Sequence, residues 1–211
     1  MTGVQTCALP IWFNGKIIAA TEKTGIKHWL NFNKNLTFID CEFDEELLIK
    51  EASVAGIVNF SQSKFRKKMY FEGVHFKGRA TYFRQTEYRD KAIFHRAVFE
   101  GDAIFMNAVF NDACGFQNII VKGNAQFNAA NFNGYAEFSK TVCFGNFSMN
   151  EANVAGTIDF TGSRFFSDCR FYNTKFAGSA RFNQIIFYGE TDFTGSEANQ
   201  ELLHRQNRFV T

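Results

Sequence analysis

The side chains best suited to chemistry in this chain are its histidines and cysteines. They are His28, His75, His95, His204, Cys7, Cys41, Cys114, Cys143 and Cys169. Zinc sites use such residues at short spacings, for example two cysteines separated by two residues, and no such spacing occurs here. General acid–base catalysis pairs a histidine with a carboxylate, serine or cysteine, and no histidine has such a partner at a motif spacing. We therefore predict a non-enzymatic protein with no catalytic, cofactor-binding or metal-binding residues.

Charge is the other feature that could serve a function. The whole chain has 23 Lys and Arg against 21 Asp and Glu, and this balance favours neither a nucleic-acid nor a membrane partner. Residues 64–96, in contrast, hold ten basic and three acidic residues, a net charge of +7. The ten are Lys64, Arg66, Lys67, Lys68, Lys77, Arg79, Arg84, Arg89, Lys91 and Arg96. This basic segment is interpreted either as the solvated exterior of a soluble protein or as a surface for an anionic partner.

A regular spacing of aromatic residues shows which elements carry these side chains. Phenylalanine accounts for 28 of the 211 residues, and most of them fall into two interleaved series with a period of eleven. The first series is Phe38, Ile49, Phe60, Phe71, Phe83, Phe94, Phe105, Phe116, Phe127, Phe138, Met149, Phe160, Phe171, Phe182 and Phe193. The second is Phe43, Val54, Phe65, Phe76, Tyr88, Phe99, Phe110, Val121, Phe132, Cys143, Val154, Phe165, Phe176 and Phe187. One extra residue interrupts both series between Phe76 and Phe83, and the pattern indicates a repeat array.

The spacing within one period favours strands over helices. Apolar residues, often alanine, also stand two positions before the members of each series. On a helix these positions would scatter around the whole circumference, whereas in an extended chain they form pairs on one face of a short strand. Glycine lies two residues after many second-series members, where we expect corners with positive φ. These are Gly56, Gly78, Gly101, Gly123, Gly134, Gly145, Gly156, Gly178 and Gly189, with Asp90 and Asp112 at equivalent positions.

This pattern resembles the pentapeptide-repeat family, in its Phe-rich branch with alternating five- and six-residue units, over residues 36–198. The resemblance implies an all-β fold, a right-handed quadrilateral β-helix (a solenoid) with about 22 residues per coil. Each series member and the residue two before it then point inward, and residues two periods apart stack. At about 4.8 Å between stacked strands, roughly seven coils form a rod about 35 Å long. Cys41, Cys114, Cys143 and Cys169 fall at inward positions, so we expect free buried thiols and a cytoplasmic location.

The resemblance also implies a function class. We expect a non-enzymatic repeat scaffold or protein-interaction module with an unknown protein partner. An acidic protein, a nucleic acid or an anionic membrane surface is the alternative partner, bound through the basic segment. The family also includes proteins that protect topoisomerases by imitating DNA with an acidic rod, and the balanced charge of this chain argues against that role. End-to-end association is expected if the rod ends are uncapped.

The two ends of the chain depart from the array. Residues 1–11, MTGVQTCALPI, resemble a translated sequencing adapter, so we expect a non-native segment there. Residues 12–35 fit the repeat poorly and form either an N-terminal cap or a degenerate first coil. Residues 199–211 are expected to form a C-terminal cap, helical in pattern and cut short, because a solenoid end must be covered.

Overall fold

The protein forms a four-walled β-helix. Its computed structural model describes residues 4–6, 17–19, 30–198 and 208–209. Strands of two to four residues assemble into four sheets in which the neighbours pair in parallel, and within residues 30–198 every fourth strand returns to the same sheet. Ala103 thus pairs with Ala125, one full coil further along the chain. The predicted quadrilateral β-helix is confirmed, and its walls of eight or nine strands correspond to about eight turns. The described part contains no helix, and hence none long and apolar enough to cross a membrane.

The walls are numbered here in the order in which the chain meets them from residue 36. Wall 1 consists of Val4–Thr6, Leu36–Ile39, Val58–Asn59, Ala80–Tyr82, Asp102–Ile104, Ala125–Gln126, Phe147–Ser148, Cys169–Arg170 and Thr191–Asp192. Wall 2 consists of Glu42–Phe43, Lys64–Phe65, Glu87–Tyr88, Val109–Phe110, Asn131–Phe132, Asn153–Val154, Lys175–Phe176 and Glu197–Ala198. Wall 3 consists of Ile17–Ala19, Leu47–Ile49, Met69–Tyr70, Ala92–Ile93, Cys114–Gly115, Ala136–Glu137, Ile158–Asp159 and Ala180–Arg181. Wall 4 consists of Leu30–Phe32, Ala52–Val54, His75–Phe76, Val98–Phe99, Ile120–Val121, Val142–Cys143, Arg164–Phe165, Ile186–Phe187 and Arg208–Phe209.

Stacked phenylalanines fill the axis of the rod. All members of both series are buried except Phe38 and Phe193, which are partly buried against the same core. Rings one coil apart lie nearly parallel, as in Phe105 and Phe127, whose centroids are 4.9 Å apart. Rings of walls 1 and 3 meet almost at right angles across the axis, as in Phe127 and Phe138 at 5.1 Å and 88°. Both geometries suit the aromatic quadrupole, so the core gains specific ring contacts as well as burial.

In one coil, the large and the small side chain of an inward-pointing pair have exchanged places. Met149 occupies a series position, and Phe147, two residues earlier, occupies a position that is often alanine elsewhere. Both side chains are fully buried. The Phe147 ring lies 4.9 Å from the Phe165 ring and 5.8 Å from the Phe127 ring, so it fills space that a phenylalanine at 149 would otherwise take. A densely packed core requires that a smaller side chain at one position be matched by a larger one nearby. The period of the series, which treats each position separately, did not predict this exchange.

Buried hydroxyl groups bind backbone carbonyls of the preceding coil. Thr141 Oγ1 donates a hydrogen bond to the Phe116 carbonyl at 3.0 Å, and Ser163 Oγ donates to the Phe138 carbonyl at 2.7 Å. Both side chains are completely buried. A buried hydroxyl without a partner costs free energy, so these bonds explain how serine and threonine can replace alanine at inward positions.

The five-residue links carry the positive φ angles. The turn from Phe94 to Ala97 is closed by a hydrogen bond from the Ala97 amide to the Phe94 carbonyl, with φ of 58° at Arg96. This geometry is that of a type II turn, whose third residue requires positive φ. The same conformation recurs two residues after every first-series member. These residues are Asp40, Glu51, Gln62, Gly73, Gln85, Arg96, Asn107, Asn118, Ala129, Lys140, Glu151, Gly162, Asn173, Gln184 and Gly195.

The nine glycines in the six-residue links, which run from a second-series member to the next first-series member, have a different structural role from the one expected. None of the nine, nor Asp90 or Asp112, has positive φ, so that expectation is wrong. The six-residue link has one more residue with which to form the corner, so it needs no left-handed residue. The left-handed residues are found in the five-residue links instead. At each of the nine glycines, an added Cβ would lie within 3.0 Å of backbone atoms of the preceding coil. Close approach of stacked corners, rather than a left-handed turn, therefore requires glycine there.

The single extra residue of the repeat lies in one corner. Thr81 pairs with Val58 in the preceding coil and with Ala103 in the following coil, and the first of these steps is one residue longer than the second. Because Ser53 and His75 are still paired across a step of the ordinary length, the insertion lies in the corner from wall 4 to wall 1. The strand that follows, Ala80–Tyr82, has three residues instead of the usual two.

The two ends of the rod are described in part. The strands at 17–19 and 30–32 pair with the next strands of walls 3 and 4, as a coil would. The strand at 4–6, within the segment expected to derive from an adapter, pairs with the next strand of wall 1. Of the segment expected to form a helical C-terminal cap, only residues 208–209 are described, and they form a strand of wall 4. The other residues of the 1–11, 12–35 and 199–211 segments lie outside the described residues, apart from 30–35.

Replacing a corner glycine should be more damaging than replacing a turn glycine. A Cβ at Gly101 would overlap the Arg79 carbonyl oxygen, whereas a Cβ at Gly162 would meet Lys140 Cγ at 3.6 Å. We expect Gly101→Ala to lower the free energy of unfolding by about 3 kcal/mol, because two coils must separate. Gly162→Ala should cost about 1 kcal/mol, the strain of positive φ, since Ala129 already adopts φ of 54° at an equivalent position.

Urea denaturation followed by circular dichroism measures both variants against the wild type. Equal losses of stability in the two variants would contradict the distinction between close approach and turn conformation.

Candidate functional site

The cysteines face the core. Cys114, Cys143 and Cys169 are free and buried, and burial raises the pKa of Cys143 to about 12 and those of the other two well above the ordinary value. Cys41 is also buried but is disulfide-bonded, so the expectation of a free thiol is wrong at this position. Buried protonated thiols are poor nucleophiles.

Two of the histidines lie on the walls beside carboxylates. His75 Nε2 is 2.6 Å from Glu100 Oε1, and Lys122 Nζ is 2.8 Å from the other oxygen of Glu100. Hydrogen bonds from Lys122 and His75 lower the pKa of the Glu100 carboxyl. His95 lies over Gly115, with Nε2 3.7 Å from Glu137 Oε2.

These pairs join neighbouring coils rather than forming a reaction centre. No hydroxyl or thiol of the described residues hydrogen-bonds to His75, and no three of their His, Cys, Asp and Glu side chains are arranged to hold a metal ion. His28 and His204 lie outside the described residues.

The basic segment is distributed around the whole circumference. It covers about one and a half coils, and its members occupy all four corners between the walls. Arg66 lies one coil below Arg89, and Lys68 one coil below Lys91, at the corner between walls 2 and 3. Lys77 and Arg79 lie at the corner between walls 4 and 1, diagonally opposite. The structure therefore brings some of the ten residues together, but no single flat partner can contact them all.

Acidic residues of the preceding coil neutralise part of this segment. Arg66 Nε donates to Glu42 Oε1 at 2.6 Å and lies 2.9 Å from Asp44 Oδ1. Lys67 Nζ lies 2.8 Å from Glu45 Oε2. A count of charges within residues 64–96 missed these partners, because stacking places residues of successive coils side by side.

Arg96 makes the most extensive of these contacts. One of its nitrogens lies 3.0 Å from Glu51 Oε1 and 3.0 Å from Glu72 Oε1, so Arg96 connects its own coil with the two preceding coils. Lys50 approaches Glu72 at 3.2 Å. Burial raises the pKa of the Glu72 carboxyl, but the hydrogen bonds from Lys50 and Arg96 outweigh it, and the net pKa is lowered.

The remaining cations of the segment make fewer contacts. Arg89 pairs with Glu87 at 2.9 Å, and Arg84 lies over the Tyr82 ring at 5.4 Å. Five members form neither an ion pair nor a cation–ring contact within the described residues. They are Lys64, Lys68, Lys77, Arg79 and Lys91.

The most unusual exterior feature is an exposed aromatic ladder that sequence reasoning missed. Phe144, Phe166 and Tyr188 are 48%, 40% and 41% exposed. Their rings stack on one another with centroids 4.9 and 4.6 Å apart. The other exposed tyrosines of the described residues, Tyr135 and Tyr172, make no ring contact. A signal was present, since each ladder residue directly follows a second-series member and the three recur once per coil.

Aliphatic side chains and one arginine extend this ladder across wall 4. The outward positions beside it are Val142, Arg164 and Ile186, which pair with one another in successive strands. We call the six residues Val142, Phe144, Arg164, Phe166, Ile186 and Tyr188 the aromatic face. Arg164 is exposed and forms no ion pair within the described residues.

Removing the Arg96 charge should weaken the stack slightly. Glutamine is the matched replacement, because Gln62 and Gln85 adopt positive φ at equivalent turn positions. We expect Arg96→Gln to lower the free energy of unfolding by about 0.5–1 kcal/mol, since its two ion pairs with Glu51 and Glu72 are half exposed. Salt screens exposed charges, so the difference from the wild type should shrink at 1 M NaCl, as chemical denaturation at two salt concentrations would show.

Lys91→Gln is the control, because Lys91 forms no ion pair among the described residues. It should leave stability unchanged or slightly higher. A loss equal to that of Arg96→Gln would show that the ion pairs between coils contribute nothing specific.

Comparison with known proteins agrees with the coil geometry. A family model of pentapeptide repeats, in nine copies, matches residues 149–197. No curated protein and no solved structure matches the chain significantly. The matched copies belong to the same four walls, spacing and stacked core that extend back to residue 36. Residues 149–197 are therefore similar to the pentapeptide-repeat family, as the spacing of the whole array indicated.

Proposed function

We propose that this protein is a non-enzymatic scaffold that binds a protein partner on the outside of its walls. One observation carries the proposal: the four walls are each backed by a continuous apolar core that consists mostly of stacked rings. Side chains on such walls are held at fixed spacing, so binding requires little further ordering. Repeat proteins commonly bind through extended surfaces of this kind.

The arrangement of reactive groups supports this proposal. The free described thiols are enclosed in the core, and the His75 carboxylate partner is shared with Lys122 in an ion-pair chain between coils. Pentapeptide-repeat proteins are generally non-enzymatic scaffolds. A DNA-imitating role would need an acidic exterior, and this chain has 23 basic and 21 acidic residues.

A photo-crosslinking amino acid placed on each wall in turn tests the proposal. Gln126, Asn131, Glu137 and Val142 are suitable, because they are half-buried outward positions on walls 1 to 4 within one coil. We expect one wall, in a lysate of the source organism, to yield a discrete cross-linked protein while its neighbours do not. The same background from all four positions would contradict a wall-bound partner.

A second candidate partner is anionic, and the unpaired cations favour it. Lys68 and Lys91 stand one above the other at the corner between walls 2 and 3, with no ion pair within the described residues. Like charges at this spacing repel each other, and a bound anion would relieve the repulsion. An acidic protein, a nucleic acid or an anionic membrane surface could supply that anion.

Retention on immobilised heparin tests this candidate. We expect the double variant Lys68→Gln, Lys91→Gln to elute at clearly lower salt than the wild type, because counterion release scales with the contacts made. The matched control is Lys67→Gln, Arg89→Gln, which removes the same charge from residues already paired with Glu45 and Glu87. Equal shifts in the two double variants would mean that only net charge matters and would reject a local anion site.

A further inference from the structure

We propose that the aromatic face of wall 4 binds a short apolar segment of a protein partner, with a carboxylate of that segment paired to Arg164. The inference rests on the proposed scaffold function and names the face and the partner chemistry. Large exposed apolar patches on soluble proteins usually mark interaction sites. Within the described residues, this is the place where exposed rings form a ladder over successive coils.

The rings of this face are held in place by one another. Both faces of the Phe166 ring are covered, by Phe144 at 13° and by Tyr188 at 5° between planes. At Phe166 a partner therefore meets the ring edge, with the aliphatic side chains of Val142 and Ile186 beside it. Such a surface suits branched aliphatic or aromatic side chains, because ring edges favour edge-to-face contact.

Arg164 gives the surface its charge preference. It lies between Val142 and Ile186 in the wall 4 column and two residues before Phe166 on the same side of the strand. Among the described residues, Arg170 and Arg181 of the adjoining walls have carboxylate partners, Asp168 at 2.8 Å and Asp159 at 3.7 Å. A guanidinium with free donors beside apolar groups is complementary to a carboxylate flanked by apolar side chains.

The positive charge of Arg164 also argues against two other partners for the aromatic face, a second copy of the chain and a membrane. A second copy of the chain would bring two Arg164 side chains together, and the six residues of the aromatic face include no acid to neutralise them. The six residues of the aromatic face offer an anionic bilayer one cation, and Asp168 and Glu190 lie at the adjacent corner. The face spans only three coils, so we expect a short segment and an affinity in the micromolar range.

Selection from a random peptide library displayed on phage tests the proposal, with the full chain as bait. We expect the enriched peptides to share an Asp or Glu flanked by apolar residues. Binding of a synthetic enriched peptide should weaken about tenfold or more in Arg164→Gln, the effect of losing a charge-assisted hydrogen bond. Phe166→Ser should weaken it similarly. Arg164→Glu should recover binding when the peptide acid is changed to Lys.

Arg170→Gln is the matched control, because Arg170 is an exposed arginine of the neighbouring wall with its own carboxylate partner. It should leave peptide binding unchanged, and circular dichroism would verify that every variant keeps its fold. Peptides that bind Arg164→Gln as well as the wild type would overturn the proposal. Self-association in sedimentation velocity that is lost in Phe166→Ser, or binding to phosphatidylserine vesicles that is lost in Arg164→Gln, would also overturn it.

The outcome is separable from that of the scaffold proposal. If photo-crosslinking finds a partner on wall 1, 2 or 3 and the selection fails, the scaffold function stands and the aromatic face is not its site. If no wall cross-links a partner and no peptide is enriched, both proposals fail.

Discussion

The architecture depends on a coincidence of two lengths. Parallel strands lie about 4.8 Å apart in a sheet, and aromatic rings stack favourably at nearly the same separation. Here Phe94 and Phe116 stack at 5.0 Å, and Phe116 and Phe138 at 4.7 Å, along the same wall. Backbone hydrogen bonding and ring stacking therefore reinforce each other at every coil. A chain that puts one ring on each wall per coil satisfies both at once.

The interior was largely predictable from the sequence because it obeys that one rule. A period of eleven, with apolar residues at strand spacing, was enough to identify the apolar face of each strand, and the resemblance to the pentapeptide-repeat family implied the four-sided coil. The sequence-based predictions were incomplete or wrong where the residue at one position depends on a contact with a residue elsewhere in the chain. Phe147 compensates for Met149 across positions that a single-position pattern treats separately. The corner glycines were located correctly but explained wrongly, because the contact that requires them comes from the preceding coil and not from their neighbours in the chain.

The exterior was less predictable for the same geometric reason. Stacking makes residues of successive coils neighbours in space. The net charge of a continuous segment of the chain therefore does not give the net charge of a patch on the surface. The basic segment looked uncompensated until Glu42, Glu45 and Glu51 of the coil below were placed beside it. The aromatic ladder was missed for the same reason, since Phe144 and Phe166 are far apart along the chain and become adjacent on wall 4. Outward positions are free to vary because the core makes no demand on them, and this freedom is where function can differ between members of the fold.

The way the walls alternate has a consequence for how such a chain can change in length. Gain or loss of two periods adds or removes one full coil, keeps the core continuous and leaves every wall aligned with itself. Gain or loss of a single period also keeps the core continuous, since the apolar spacing is unchanged, but it rotates everything beyond it by half a coil. The column that carries Phe144, Phe166 and Tyr188 would then move from wall 4 to the opposite side of the rod, in line with Arg66. A half-coil duplication or deletion in the gene would thus rearrange the surface beyond it while the apolar core stays continuous.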